Sequence, residues 1–155
     1  MSIFPTKILL ATDGSSEAEL AASTAADLAT TTNSELHVVT VAPGNPDPVY
    51  HIHEGGFRYE TYEQAVEAVK GAAQKVLDEQ VQKVEEAGGN VAGAYLRTGE
   101  RRDQAILYLA EELGAGLIVM GSRGMGGVRR ALMGSVSASV VHHAHCPVMV
   151  VRPEK

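Results

Sequence analysis

The chain has 155 residues, 45% of them apolar, with 13 Lys plus Arg against 19 Asp plus Glu and a net charge of −6. That length suits a single domain, residues 1–155, and excludes two full catalytic domains; the lone Cys146 excludes an intrachain disulfide. The acidic balance argues against a sequence-independent nucleic-acid binder, no apolar run reaches the roughly 20 residues that span a bilayer, and Met1 to Pro5 lacks a signal-peptide pattern, so a soluble cytoplasmic protein is expected.

The first apolar run, Ile8 to Ala11, predicts a strand, and Ser15 or Ser16 starts a helix whose apolar face carries Leu20, Thr24 and Leu28. A second strand follows at Leu36 to Ala42. Pro43 to about Thr61 then reads as one long irregular stretch, with Pro43, Gly44, Pro46, Pro48, Gly55 and Gly56 among Tyr50, Phe57 and Tyr59; it is either a flap beside a site or partner surface, or a disordered insertion. Tyr62, Val66, Val69, Ala73, Val76 and Leu77 mark the second helix, closed by Gly88-Gly89. The third strand is Val91 to Leu96, and the third helix carries Ile106, Leu109, Ala110 and Leu113 before Gly114. A fourth strand, Leu117 to Met120, leads through a glycine-dense loop to a short helix from about Ser135 to His143, and Val148 to Val151 is the last strand. The strand runs are mostly β-branched and nearly continuous, as strands covered on both faces are. Strands alternating with helices predict an α/β/α three-layer sandwich around a five-stranded parallel sheet, with right-handed crossovers.

The loop from Gly121 through Gly134-Ser135 carries the chemistry. Glycines let a backbone approach a ligand closely, and the amides at a helix start suit a phosphate. Ser135 and Ser137 add hydroxyls, and Arg123, Arg129 and Arg130 add positive charge unless they are simply solvated. A Walker loop is excluded because Gly127, not Lys, follows Gly126. The dinucleotide fingerprint is excluded because Arg129 stands where its third glycine belongs.

The spacing that does fit is G-x2-G-x9-G-[ST], on Gly121, Gly124, Gly134 and Ser135. With Lys7-Ile8-Leu9-Leu10-Ala11-Thr12-Asp13-Gly14-Ser15, Leu36-His37-Val38-Val39-Thr40-Val41, Ile118-Val119-Met120-Gly121-Ser122-Arg123-Gly124 and Cys146-Pro147-Val148-Met149-Val150-Val151-Arg152, nearly the whole chain resembles the universal stress protein family, in its ATP-binding branch. The resemblance implies a Rossmann-like fold of the adenine nucleotide α-hydrolase type, with strand order 3-2-1-4-5. It implies that Ala11, Thr12 and Asp13 line the nucleotide pocket, that Val41 meets adenine, and that Met120 and Gly121 lie beneath the nucleoside. Ser122, Arg123, Gly124, Gly134, Ser135, Val136 and Ser137 complete the implied site around the phosphates. A divalent ion, Mg²⁺ or Mn²⁺, would be held mainly by those phosphates. The resemblance also implies a homodimer paired through Val148 to Val151. Where the family commonly has proline soon after the glycine that follows the third strand, this chain has Glu100-Arg101-Arg102 after Gly99, a change expected to act on helix entry or loop mobility more than on phosphate holding.

Other readings stay open beside this one. Asp13 is also placed to cap the first helix with Ser15. A regulatory ATP-binding module, at most a slow ATPase, competes with a nucleotide α-phosphate-cleaving enzyme of the same architecture, which would need a Ser-Gly-Gly-x-Asp-Ser type loop where this chain has Thr12-Asp13-Gly14-Ser15-Ser16. A cyclic AMP binder and a nucleotide-independent interaction module are further alternatives. No catalytic residue and no dedicated metal site are assigned: His51 and His53 fall in the flap, His142 and His143 diverge on a helix, and Cys146 reads as a small apolar residue.

Overall fold

A computed structural model describes residues 1–46, 50–53, 56–59, 61–99, 101–122 and 133–153. In chain order the elements are β1 (Lys7–Ala11), α1 (Ser16–Thr32), β2 (Glu35–Pro43), β3 (Tyr50–His53), β4 (Gly56–Tyr59), α2 (Tyr62–Glu86), β5 (Val91–Gly99), α3 (Arg102–Leu113), β6 (Leu117–Gly121), α4 (Ser135–His143) and β7 (Val148–Val151). Five of the strands make one parallel sheet in the order β5-β2-β1-β6-β7, the 3-2-1-4-5 order of the five long-range strands.

Side chains alternate across the sheet, so each apolar strand feeds two cores. Ile8, Leu10, Leu36, Val38, Leu117 and Val119 pack under α1 and α2, while Leu9, Ala11, Val39, Ile118 and Met120 pack with Ile106, Leu109, Ala110 and Val140 of α3 and α4. Ile8, Leu9 and Leu10 are all 0% exposed, which is why β1 reads as a continuous apolar run and not an alternating one.

Three expectations are corrected. The buried stripe of α1 is Ala18, Ala21, Ala22, Ala25 and Ala29, whereas Leu20 is 39% exposed. Methyl groups let this helix lie close to the sheet; a leucine stripe would hold it off. In α2, Ala73 and Leu77 are buried as predicted, but Tyr62 is exposed and the stripe continues through the polar Gln80 to Val84. The stretch after Pro43 is not irregular throughout. β3 and β4 pair antiparallel, Tyr50 opposite Tyr59 and His53 opposite Gly56, as a separate two-stranded sheet. This puts His51 and His53 on a strand.

Candidate functional site at the sheet switch point

β1 and β6 are neighbours, with Ala11 opposite Met120 at their carboxyl ends. From β1 the chain turns into α1 on one face; α4, reached after β6, packs on the other face through Val140. Where connections diverge in this way from adjacent strands, the carboxyl ends of those strands are the place where open α/β sheets take ligands.

The β1 side is tightly specified. The Thr12 amide donates to the Val39 carbonyl at 3.0 Å, extending the β1–β2 ladder by one bond. The Thr12 hydroxyl, on a residue only 6% exposed, donates to Gln80 Oε1 at 3.0 Å and accepts the Gly14 amide at 3.3 Å. Asp13 Oδ1 accepts the Ser15 amide at 2.9 Å, closing an Asx turn, and Ser15 Oγ caps α1 by accepting the Ala18 amide at 3.2 Å. Gly14 makes that turn at φ +80°, in the left-handed region where a side chain is strained. Thus Ser15 is the helix cap, and Asp13 shapes the turn while staying partly exposed.

The β6 side is held from below. The Ser122 amide donates to the Val151 carbonyl at 3.0 Å, and the Ser122 carbonyl accepts both the Gly134 amide at 2.6 Å and the Ser137 hydroxyl at 2.9 Å. Gly134 is the N-cap of α4 and Ser135 its first residue. The first helical bond of α4 runs from the Ala138 amide to the Gly134 carbonyl, so the amides of Ser135, Val136 and Ser137 precede the helical ladder. The Ser137 side chain, 3% exposed, spends its proton on backbone carbonyls, Ser122 and Gly134, and so ties the helix start to the end of β6.

Val41 is partly buried and, with Met120 and Val136, belongs to the core on the α3 and α4 side. Gly121 admits α1: a Cβ there would lie 2.9 Å from the backbone carbon of Glu17. Ala11, Thr12, Asp13, Met120, Gly121, Ser122, Gly134, Ser135, Val136 and Ser137 therefore gather around two adjacent strand ends, with Val41 one strand further out. Arg123, Gly124, Arg129 and Arg130 lie outside the described residues. A depression of about 530 Å³ lined by Lys7, Asn33, Glu35 and Gly114 sits at the opposite, amino ends of the strands, away from these groups.

Gln80, Asp103 and Ser139 went unnoticed in the sequence. Gln80 and Asp103 each carry a signal: a polar residue on an apolar stripe, Gln80 between Leu77 and Val84, Asp103 three before Ile106. Burial alone would raise the Asp103 carboxyl, but hydrogen bonds from Ser139, Arg101 and the Gln104 amide outweigh it and hold the group below the usual carboxylate range. Arg101 takes the N-cap position of α3 without a side-chain capping bond; its guanidinium forks onto Asp103 instead. Burial pushes the Cys146 thiol up, as suits an apolar residue. Among the described residues no three His, Cys, Asp or Glu side chains converge as a metal site, and no helix is long and apolar enough to cross a membrane.

His37, 6% exposed, bonds Tyr95 Oη through Nδ1 at 3.0 Å, while its buried Nε2 has no hydrogen-bond partner. Burial lowers its pKa from the ordinary 6.5, with Glu35 opposing and Lys7 assisting. The unfolded chain therefore takes up the proton first on acidification, and the contribution of neutral His37 to stability, full above the unfolded value, is lost as pH falls through about 6.5. Urea unfolding between about pH 7.5 and 5.5 is expected to show that loss, and His37→Phe to flatten it; an equal slope in the variant would reject the assignment.

The fold defines a parallel α/β protein whose two neighbouring central strands, β1 and β6, send their connections to opposite faces of the sheet. Residues 5–152 match the universal stress protein family, and the chain belongs to it. A universal stress protein of Staphylococcus haemolyticus is 33% identical over 148 residues, covering 96% of this chain and 85% of that one. Among solved structures, UspA from Lactobacillus plantarum superimposes with a TM-score of 0.77 at 23% identity, covering 97% of this chain and 100% of the other. Two more share the fold at 24% identity: a universal stress protein in complex with cAMP (TM-score 0.67; 95% and 97% covered) and one from Archaeoglobus fulgidus in complex with dAMP (0.62; 97% and 99%).

Proposed function

We propose that this chain, as one domain over residues 1–155, is a nucleotide-binding regulatory module of the ATP-binding branch, acting in the cytoplasm. The observation that carries the reading is that β1, which leads into the Asp13 turn, and β6, whose end is bonded to the start of α4, are direct neighbours in the sheet. A helix start offers amides and a partial positive charge to phosphate, and a partly exposed carboxylate opposite accepts hydroxyls such as those of a ribose. In this reading Ala11, Thr12, Asp13, Val41, Met120 and Gly121 take the nucleoside, while Ser122, Arg123, Gly124, Gly134, Ser135, Val136 and Ser137 form the phosphate end. On the same reading a divalent ion, Mg²⁺ or Mn²⁺, would be held mainly through the phosphates of the nucleotide. The cAMP and dAMP complexes of the two neighbours support an adenine ligand and leave a mononucleotide as the second reading. β7 is an outer strand of the sheet, with Met149 and nearby Val141 of α4 exposed, which supports pairing with a second copy.

Equilibrium binding of ATP with Mg²⁺, beside AMP and cAMP, tests the site. Saturable ATP binding is expected to weaken at least about tenfold, near 1.4 kcal/mol, in Gly134→Val, which adds a branched side chain where a phosphate would approach the helix start. Unchanged affinity would reject the phosphate assignment, and tighter AMP or cAMP binding would favour the second reading. Sedimentation of the same samples reads the dimer mass.

A further inference from the structure

α4 is short, and its start has to be held in place for its amides to serve as an anion site. Its buried residues are Ser137 and Val140. Val140, with Val136 beside it, packs into the core on the α3 side, a contact less directional than a hydrogen bond. Ser137 ties the first turn to the end of β6. Two residues on, Ser139 Oγ donates to Asp103 Oδ2 at 2.6 Å, a bond from α4 to the first turn of α3. Asp103 is 8% exposed, and Arg101 grips it with Nη2 at 2.7 Å on Oδ2 and Nε at 3.3 Å on Oδ1. The acceptor is thus a buried carboxylate fixed from its other side, and a charge-assisted bond to it is both short and directional. On α4 itself, His143 Nδ1 lies 3.0 Å from the Ser139 carbonyl, so the Ser139 turn is engaged on both sides.

A rotation or slide of α4 at Ser139 carries the amides of Ser135 to Ser137 with it, because they lie within about one turn of the same rigid helix. We propose that Asp103 and Ser139 are positioning residues of the phosphate end of the site, a role that rests on the nucleotide reading above. Arg101 serves them by holding the carboxylate in one orientation. The clamp does not touch a ligand; it fixes where the helix amides point.

Such a role separates phosphate from nucleoside. Calorimetric titration with Mg²⁺-ATP and with adenosine, on the full chain and on Ser139→Ala and Ser139→Thr, reads the difference. Ser139→Ala is expected to bind ATP about tenfold more weakly, with adenosine unchanged within about twofold, and Ser139→Thr, which keeps the hydroxyl, to recover ATP affinity. Asp103→Leu is expected to reproduce the alanine pattern from the other side of the bond. ATP affinity unchanged in Ser139→Ala, or ATP and adenosine weakening together, would overturn the clamp and leave the site assignment standing. An unsubstituted chain that binds neither ligand would overturn the nucleotide reading, and the clamp's role with it.

Discussion

Gly121→Val is expected to lower the unfolding free energy by about 3 kcal/mol, the upper end of what overpacking costs. Gly121 closes β6 where α1 crosses it. A Cβ at this position would stand 2.9 Å from both the backbone carbon and the Cβ of Glu17, and 3.1 Å from the Glu17 carbonyl oxygen. Two of those atoms are backbone, in the first turn of a helix capped by Ser15 and seated on a stripe of alanines. They cannot rotate aside; α1 has to move as a body, and that opens the core formed with Ile8, Leu10 and Val119. Urea unfolding with an unchanged denaturant slope is the measurement. A loss below about 1 kcal/mol would show that α1 yields more readily than its alanine packing implies.

That crossing also marks the limit of what the sequence disclosed. Strands were legible because burial on both faces forces nearly continuous apolar runs: β1, β6 and β7 lie where Ile8 to Ala11, Leu117 to Met120 and Val148 to Val151 predicted them, with β1 starting one residue earlier and β6 ending one later. β5 ran on to Gly99, three residues past the apolar run, since pairing with β2 continues through Arg97 and Thr98 whatever their side chains. The α1 face was misassigned because periodicity weights large apolar side chains, whereas close helix-on-sheet packing selects small ones. The β3–β4 hairpin was hidden by the prolines and glycines around it, although Tyr50 opposite Tyr59 and Ile52 opposite Phe57 are the aromatic and β-branched residues that strands favour. At the site, the Asp13 turn and the Gly134-Ser135 helix start were legible from turn and cap chemistry. The polar groups beneath them were not, because their partners are distant in sequence: 68 positions separate Thr12 from Gln80, and 36 separate Asp103 from Ser139.

The Thr12–Gln80 pair yields the second large expected effect, one that is partly cancelled when the two single changes are combined. Thr12→Val leaves Gln80 Oε1 without its donor in a place 5% exposed, and Gln80→Leu removes the acceptor from a hydroxyl equally buried. Each single change is expected to destabilise by about 1–3 kcal/mol, the cost of desolvating a polar atom that finds no partner. Thr12→Val is expected to cost the more, because the same hydroxyl also accepts the Gly14 amide at 3.3 Å. The double variant replaces both partners by apolar groups of similar shape, so most of that loss is expected to return, with a coupling of about 1–2 kcal/mol in a double-mutant cycle. The neighbouring strand already tolerates one such cost, since Thr40 Oγ1 is buried with no hydrogen-bond partner. What the pair adds beyond stability is direction: the bond to α2 fixes the Thr12 side chain, Thr12 receives the Gly14 amide, and that turn carries Asp13. On the proposed nucleotide reading, the double variant is therefore expected to regain stability without regaining ATP affinity. Simple additivity of the two single losses would reject the coupling, and full recovery of ATP affinity in the double variant would reduce the pair to a structural one.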